Sequence, residues 1–128
     1  MSSKRKPISK SLRLKVWEKC NKRCAYCGRD LAYKDMQVDH VRSVHCGGVN
    51  DIENLMPSCR MCNYYKGAGG VEFLRKELRQ VTKRLTKPFL NRLAIQYGMM
   101  ELKEWDGKFY YETNMICALL NLGKANLT

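Results

Sequence analysis

Long apolar runs are absent from this chain, and acidic residues are few. No stretch of the 128 residues approaches the ~20 apolar positions that a membrane-spanning helix needs, which excludes that class. The first residues, MSSKRKPISK, carry no apolar signal core, so the expectation is a soluble, cytoplasmic protein. Asp and Glu number 12 against 24 Lys and Arg, giving a formal net charge of +12 and a pI near 9.6. A shortage of negative charge on that scale points to a polyanionic partner, nucleic acid before an acidic membrane surface. The imbalance is uneven, because residues 1–23 hold nine Lys and Arg against Glu18 alone. Histidine is scarce as well, with two in the whole chain. No segment repeats another.

Cysteine, in contrast, is plentiful. Seven cysteines without an export signal argue against a disulfide framework, since reducing compartments keep thiols reduced. Paired cysteines in that setting are more often metal ligands. Cys24-x2-Cys27 and Cys59-x2-Cys62 form two such knuckles, separated by 31 residues. Each can turn two thiolates onto one cation, and together they supply the tetrahedral four-sulfur shell of a structural zinc. A single CxxC is shared with redox motifs; two around a strand-rich insert are far more specific. Cys20 and Cys117 lie among apolar residues and read as small buried hydrophobes, and Cys46 as an exposed loop thiol.

The pattern along the chain predicts an α+β fold in a length suited to one compact domain or a small domain with appendages. Residues 1–8 read as a basic arm. A helix follows, capped by Ser11 and stopped near Asn21, with Leu12, Val16 and Cys20 on its inner face and Trp17 beside them. A hairpin is expected from strands near Leu31–Tyr33 and Met36–Val41. Next come a loop over 42–50, a single helical turn capped by Asn50 or Asp51, and an extended LMPS segment leading to Cys59. A helix starts at CNYYKG and is broken by GAGG at 67–70. Residues 71–86 read as one helix with Leu74, Leu78, Val81 and Leu85 on its apolar stripe. Another helix, FLNRLAIQYG, stops at Gly98; a hairpin turns around Asp106-Gly107; and a short apolar helix lies near the end. The expected division is 1–70 for the arm and knuckle core, and 71–128 for a helical appendage with a C-terminal β-hairpin, packed on the core.

Between the knuckles lies VDHVRSVHCGGVNDIENLMPSCRMCNYYKG. Asp39 and His40 end a strand, Gly47-Gly48 turns a loop, Asn54-Leu55 precedes the second knuckle, and Asn63 follows Cys62. Over residues 10–66 this resembles the HNH endonuclease family in its zinc-knuckle form, of the phage or prophage type. The resemblance implies a ββα-metal (His-Me finger) core that cuts DNA, with flanking helices. By that resemblance His40 is the general base, Asp39 and Asn63 give oxygen ligands to a catalytic Mg²⁺ or Mn²⁺, and Asn54 holds the loop and His40 in place. Lys66 sits where the family faces a phosphate; Arg42 and Arg60 are candidate backbone contacts. Asn63 stands where the family name has histidine, and neutral and carboxylate oxygens favour a hard ion.

The chemistry makes the same demand. In-line cleavage of a phosphodiester needs a base on one side of phosphorus and a cation on the other. Neighbouring side chains diverging from a strand end can serve both sides. His45 reads as a surface residue, and at least one of Tyr64 and Tyr65 as packing. The alternative is a zinc-scaffolded module that binds nucleic acid or protein without cutting, including a nuclease fold used as an inhibitor. The expected partner is DNA, and nothing in the sequence indicates a protein partner.

Overall fold

The computed structural model describes residues 7–42 and 47–113. The basic arm before Pro7, the His45 and Cys46 loop positions, and Cys117 with the terminal apolar helix lie outside the described residues. The fold is α+β: helix α1 (Lys10–Lys19), strands β1 (Gln37–His40) and β2 (Leu55–Ser58), then helices α2 (Arg60–Lys66), α3 (Val71–Leu78), α4 (Val81–Leu85), α5 (Phe89–Gln96) and α6 (Tyr110–Thr113). Among the described residues, no helix is long and apolar enough to cross a membrane.

Ser9, not Ser11, caps α1, its hydroxyl accepting the Leu12 N–H at 3.2 Å. The helix buries Val16 and Cys20 as its spacing requires, and Trp17 donates its indole N–H to the Leu31 carbonyl at 2.7 Å. One charged residue goes in with them. Lys19 is 4% exposed, its ammonium donating to the carbonyls of Ile52 and Leu55 at 2.7 and 2.8 Å. That tether holds the end of α1 against the start of β2 and satisfies a charge that burial would otherwise penalise. Asn21 and Lys22 then take left-handed backbone (φ 60° and 61°), turning the chain into the first knuckle.

The sheet pairs distant segments. β1 runs antiparallel to β2 with Asp39 opposite Met56 and His40 opposite Leu55, so the hairpin expected within 31–41 does not form. Tyr33–Asp35 is instead a 3-10 turn, and Arg13 reaches across to donate to the carbonyls of Tyr33 and Met36. LMPS is the partner strand; Pro57 lacks an N–H, which an edge strand tolerates, while its carbonyl accepts the Ala25 N–H at 2.8 Å.

The predicted 71–86 helix is two helices, interrupted at Arg79–Gln80. The break swings the second part outward: Leu74 is 1% exposed but Leu85 is 40% exposed. Residues 101–109 carry no strand, so the C-terminal hairpin is absent as well. The Asp106 carboxylate accepts the Lys108 N–H and Gly107 sits at φ 85°, which redirects the chain. Instead of pairing with itself, the segment pairs with the knuckle, through Tyr110 N–H to the Tyr26 carbonyl (3.0 Å) and Tyr111 N–H to Ala25 (2.8 Å). Phe109 enters the core, its ring 5.3 Å from Tyr26 and 5.0 Å from Trp105. Gly28 is needed at this junction, since φ is 80° and a Cβ there would lie 3.0 Å from the Tyr110 ring.

Arg75 clamps the segment down. It bonds Glu72, Glu112 and the Gly107 carbonyl while its guanidinium covers the Phe109 ring at 4.8 Å. Arg75→Ala should therefore cost about 2–3 kcal/mol in urea unfolding at pH 7. For Glu112, burial pushes the pKa up, but the bonds from Arg75 and the Phe109 N–H more than reverse it, leaving it below the ordinary value. A carboxylate lowered by folding contributes above its unfolded pKa and loses that contribution as pH falls through the folded value. The stability gap between wild type and Glu112→Gln should thus be open at pH 7 and close as pH drops below about 4.3.

Candidate active site and metal centre

The two knuckles meet. Ligand atoms of Cys24, Cys27, Cys59 and Cys62 all lie within 4.8 Å of one another, with Cys27 Sγ and Cys59 Sγ at 3.9 Å. Backbone amides already point at the sulfurs: Cys59 N–H donates to Cys24 Sγ and Cys62 N–H to Cys59 Sγ. A ~2.3 Å zinc–sulfur bond in a tetrahedron spaces sulfurs ~3.8 Å apart, so the four fit that ion closely. The thiols also compete for protons. Cys24 is held far below the usual thiol range by hydrogen bonds from Cys27 and Cys62, whereas its hydrogen bond with Cys24 pushes Cys27 up to about 11. Four crowded sulfurs cannot all ionise without a cation among them, which is what a zinc centre supplies.

The first knuckle also carries Tyr26, and this residue leads to the second group. Its hydroxyl donates to Asp39 Oδ2 at 2.5 Å, and Lys66 Nζ from α2 lies 3.1 Å from Asp39 Oδ1 and 3.3 Å from the His40 carbonyl. Tyr26, Asp39 and Lys66 are 3%, 5% and 1% exposed. Burial, then the charge of Asp39, holds the Tyr26 hydroxyl well above its ordinary pKa, so it stays a donor. His40 meets a different partner, with its Nε2 2.7 Å from Asn50 Oδ1 in the loop before β2. The two neighbours on β1 thus engage groups on different elements, as strand alternation requires.

Asn54, 9% exposed, closes the loop that follows β1. Its Oδ1 accepts the Arg42 N–H at 2.8 Å and its Nδ2 donates to the Arg42 and Val49 carbonyls, while its own carbonyl accepts the Val41 N–H. Asp51 occupies the cap position of the Ile52–Asn54 turn without a side-chain bond, and Asn50 turns to His40 instead. Asn63 is half-buried in the middle of α2, and its side chain makes no hydrogen bond among the described residues. Arg42 and Arg60 are exposed. Tyr64 is 85% exposed and Tyr65 40%, with Arg84 donating to the Tyr65 hydroxyl, so neither is core packing. Lys66, expected to face a phosphate, lies buried against Asp39.

Residues 24–69, from the first knuckle through α2, match the HNH endonuclease family. That stretch is an HNH endonuclease segment within the chain. Among its relatives is the CRISPR-associated endonuclease Cas9 of Corynebacterium diphtheriae, 40% identical over 48 residues that cover 37% of this chain and 4% of that one. A second is YoqL, an HNH endonuclease-family protein derived from the SPbeta prophage of Bacillus subtilis, 34% identical over 62 residues that cover 39% of this chain and 27% of the relative. The chain therefore spans a small part of the length of these relatives. A type II-C Cas9 crystal structure from Actinomyces naeslundii overlaps 79% of this chain and 14% of its own length, at a TM-score of 0.48 and 20% identity.

The HNH resemblance also implies a second, catalytic cation on Asp39 and Asn63. Their oxygen donors have the right chemistry for Mg²⁺ or Mn²⁺. The arrangement of Asp39 does not fit one as it lies, because both carboxylate oxygens are engaged and the Lys66 ammonium already meets their charge.

Two residues missed in the sequence emerge here. Tyr26 had no signal beyond lying inside a knuckle, and the sequence marks Asn50 only as a candidate cap, not as a partner of His40. Two outcomes follow for the framework. Cys59→Ser should leave the chain largely unfolded by circular dichroism, because a structural zinc contributes on the order of 10 kcal/mol; a folded, zinc-free variant would contradict the assignment. Asn54→Ala should keep zinc but cost about 1–3 kcal/mol, with faster amide exchange at Arg42, whose N–H loses its acceptor.

Proposed function

We propose that this protein is a metal-dependent HNH endonuclease that hydrolyses phosphodiester bonds of DNA, with double-stranded DNA as its substrate. The observation that carries the reading is the buried Asp39–His40 step at the end of β1, 5% and 9% exposed, within the segment that matches the family. Buried ionisable side chains beside a loop mark a candidate functional site. In this reading His40 takes a proton from water as the water oxygen bonds to phosphorus; the bond to the opposite ester oxygen breaks, and that oxygen leaves with the electron pair. Asn54 supports the loop that keeps His40 in place. Exposed Arg42 and Arg60 contact the phosphate backbone, and the chain's charge of +12 favours the approach of DNA. Metal dependence rests on the family resemblance and on the oxygen donors of Asp39 and Asn63, and it requires Asp39 to exchange Lys66 for the ion.

That exchange is also what favours a second reading. If the Lys66–Asp39 pair persists on DNA, the chain is a zinc-scaffolded binding module that does not cut. Single-turnover cleavage of a labelled duplex separates the two. Wild type should cut with Mg²⁺ or Mn²⁺ and stop with EDTA. His40→Ala should retain zinc, fold and DNA affinity while losing about 10²–10⁴ in rate, the usual worth of a positioned base. Excess metal should partly restore Asn63→Ala and should not restore His40→Ala. A wild-type protein that binds but never cuts DNA with either metal would leave the binding module standing.

A further inference from the structure

The imidazole of His40 has two nitrogens, and a general base can use only the one that lacks a proton. Nε2 is committed to Asn50 Oδ1 at 2.7 Å. A carboxamide oxygen can only accept, so the ring nitrogen facing it carries hydrogen and donates. Nδ1 is then left with the lone pair. His40 is 9% exposed and sits on a strand whose Val41 N–H is tied to the Asn54 carbonyl, so its backbone is fixed while its ring still needs a side-chain partner to choose a rotamer and a tautomer. Asn50 lies ten residues on, close to where Asn54 pins the loop through the Val49 carbonyl at 2.8 Å, so its position is set by the same closure.

We propose that Asn50 is a positioning residue for the base: its side-chain oxygen holds His40 as the Nε2–H tautomer and turns Nδ1 toward the attacking water. This rests on the reading of His40 as the base. Asn50 acts through His40 and touches neither water nor phosphate. Two asparagines thereby divide the loop's work, Asn54 fixing the backbone and Asn50 the ring.

The test reads the ring directly. Nitrogen-15 NMR of the histidine side chains at pH 8, assigned by comparison with His45→Ala, should show His40 protonated at Nε2 and unprotonated at Nδ1 in zinc-loaded wild type. In Asn50→Ala the two nitrogens should move toward averaged tautomers, while zinc content and unfolding midpoint stay close to wild type. Asn50→Asp, which keeps an acceptor oxygen in the same place, should restore the Nε2–H pattern. In single-turnover cleavage Asn50→Ala should lower the rate at saturating protein by at least about tenfold with unchanged DNA affinity, and Asn50→Asp should recover part of it. Wild-type His40 found protonated at Nδ1, or an unchanged pattern in Asn50→Ala, would overturn the proposal. The NMR result decides this whether or not the protein cuts DNA, so a failure of the nuclease reading and a failure of the Asn50 assignment are told apart.

Discussion

Four thiol groups gathered within 4.8 Å are the constraint on which the rest of this structure hangs. The sheet has two short strands among the described residues, and each is only four residues long. A pair of that size is marginal in water without something to fasten it. The knuckles provide the fastening from both ends. Cys24 and Cys27 anchor the turn that pairs with the Pro57 carbonyl, and Cys59 caps α2 with its sulfur. Closing the four sulfurs around one ion therefore fixes β2, α2 and the turn carrying Tyr26 at a single stroke. The appendage fastens to the same place, because Tyr110 and Tyr111 bond the carbonyls of Tyr26 and Ala25.

From that frame the side chains of the candidate site follow with little freedom. Tyr26 comes from the first knuckle and Lys66 from the helix started by the second, and they meet on opposite oxygens of Asp39. The buried carboxylate is paired with an ammonium and accepts from a phenol; removal of Lys66 would strand its charge, whereas removal of the Tyr26 hydroxyl would cost it one hydrogen bond. The pairing sets a clear requirement for chemistry. In the state described here the carboxylate is held by Tyr26 and Lys66, and a divalent ion on Asp39 would compete with the Lys66 ammonium for its charge. The His40 imidazole keeps its own partner in Asn50, while the His40 carbonyl shares the Lys66 ammonium with Asp39.

The knuckles, the Asp39-His40 step and the 3-10 turn ending at Asn54 were legible in the sequence, because each is marked by ligand spacing or a turn signal; the helix expected from Cys62 starts earlier, at Arg60, where the Cys59 sulfur caps it. Strand pairing was not legible. Val38 and Pro57 face each other across a loop, and the nearer 31–33 segment competed with β2 on propensity alone; the pairing rests on contacts distant in sequence, such as the Ala25 N–H on the Pro57 carbonyl. The continuous helix expected over 71–86 breaks at Arg79–Gln80, where apolar spacing carries across a bend that it does not encode. Asp106-Gly107 is a turn in fact as in expectation, but the strands around it were outcompeted by aromatic burial of Phe109 against Tyr26. The contacts of Tyr26 and Asn50 with Asp39 and His40 span 13 and 10 residues, a separation that no local pattern marks. The attraction between Lys66 and Asp39, 27 residues apart, is visible only in three dimensions.

The claim beneath all of this is that a metal closes the two knuckles and so creates the site. X-ray absorption at the zinc edge on purified protein, with metal content measured on the same sample, tests it most directly. The account predicts one zinc per chain surrounded by four sulfurs at about 2.3 Å with no nitrogen or oxygen neighbour. A well-folded protein without zinc, or a zinc shell that includes histidine or water, would contradict it.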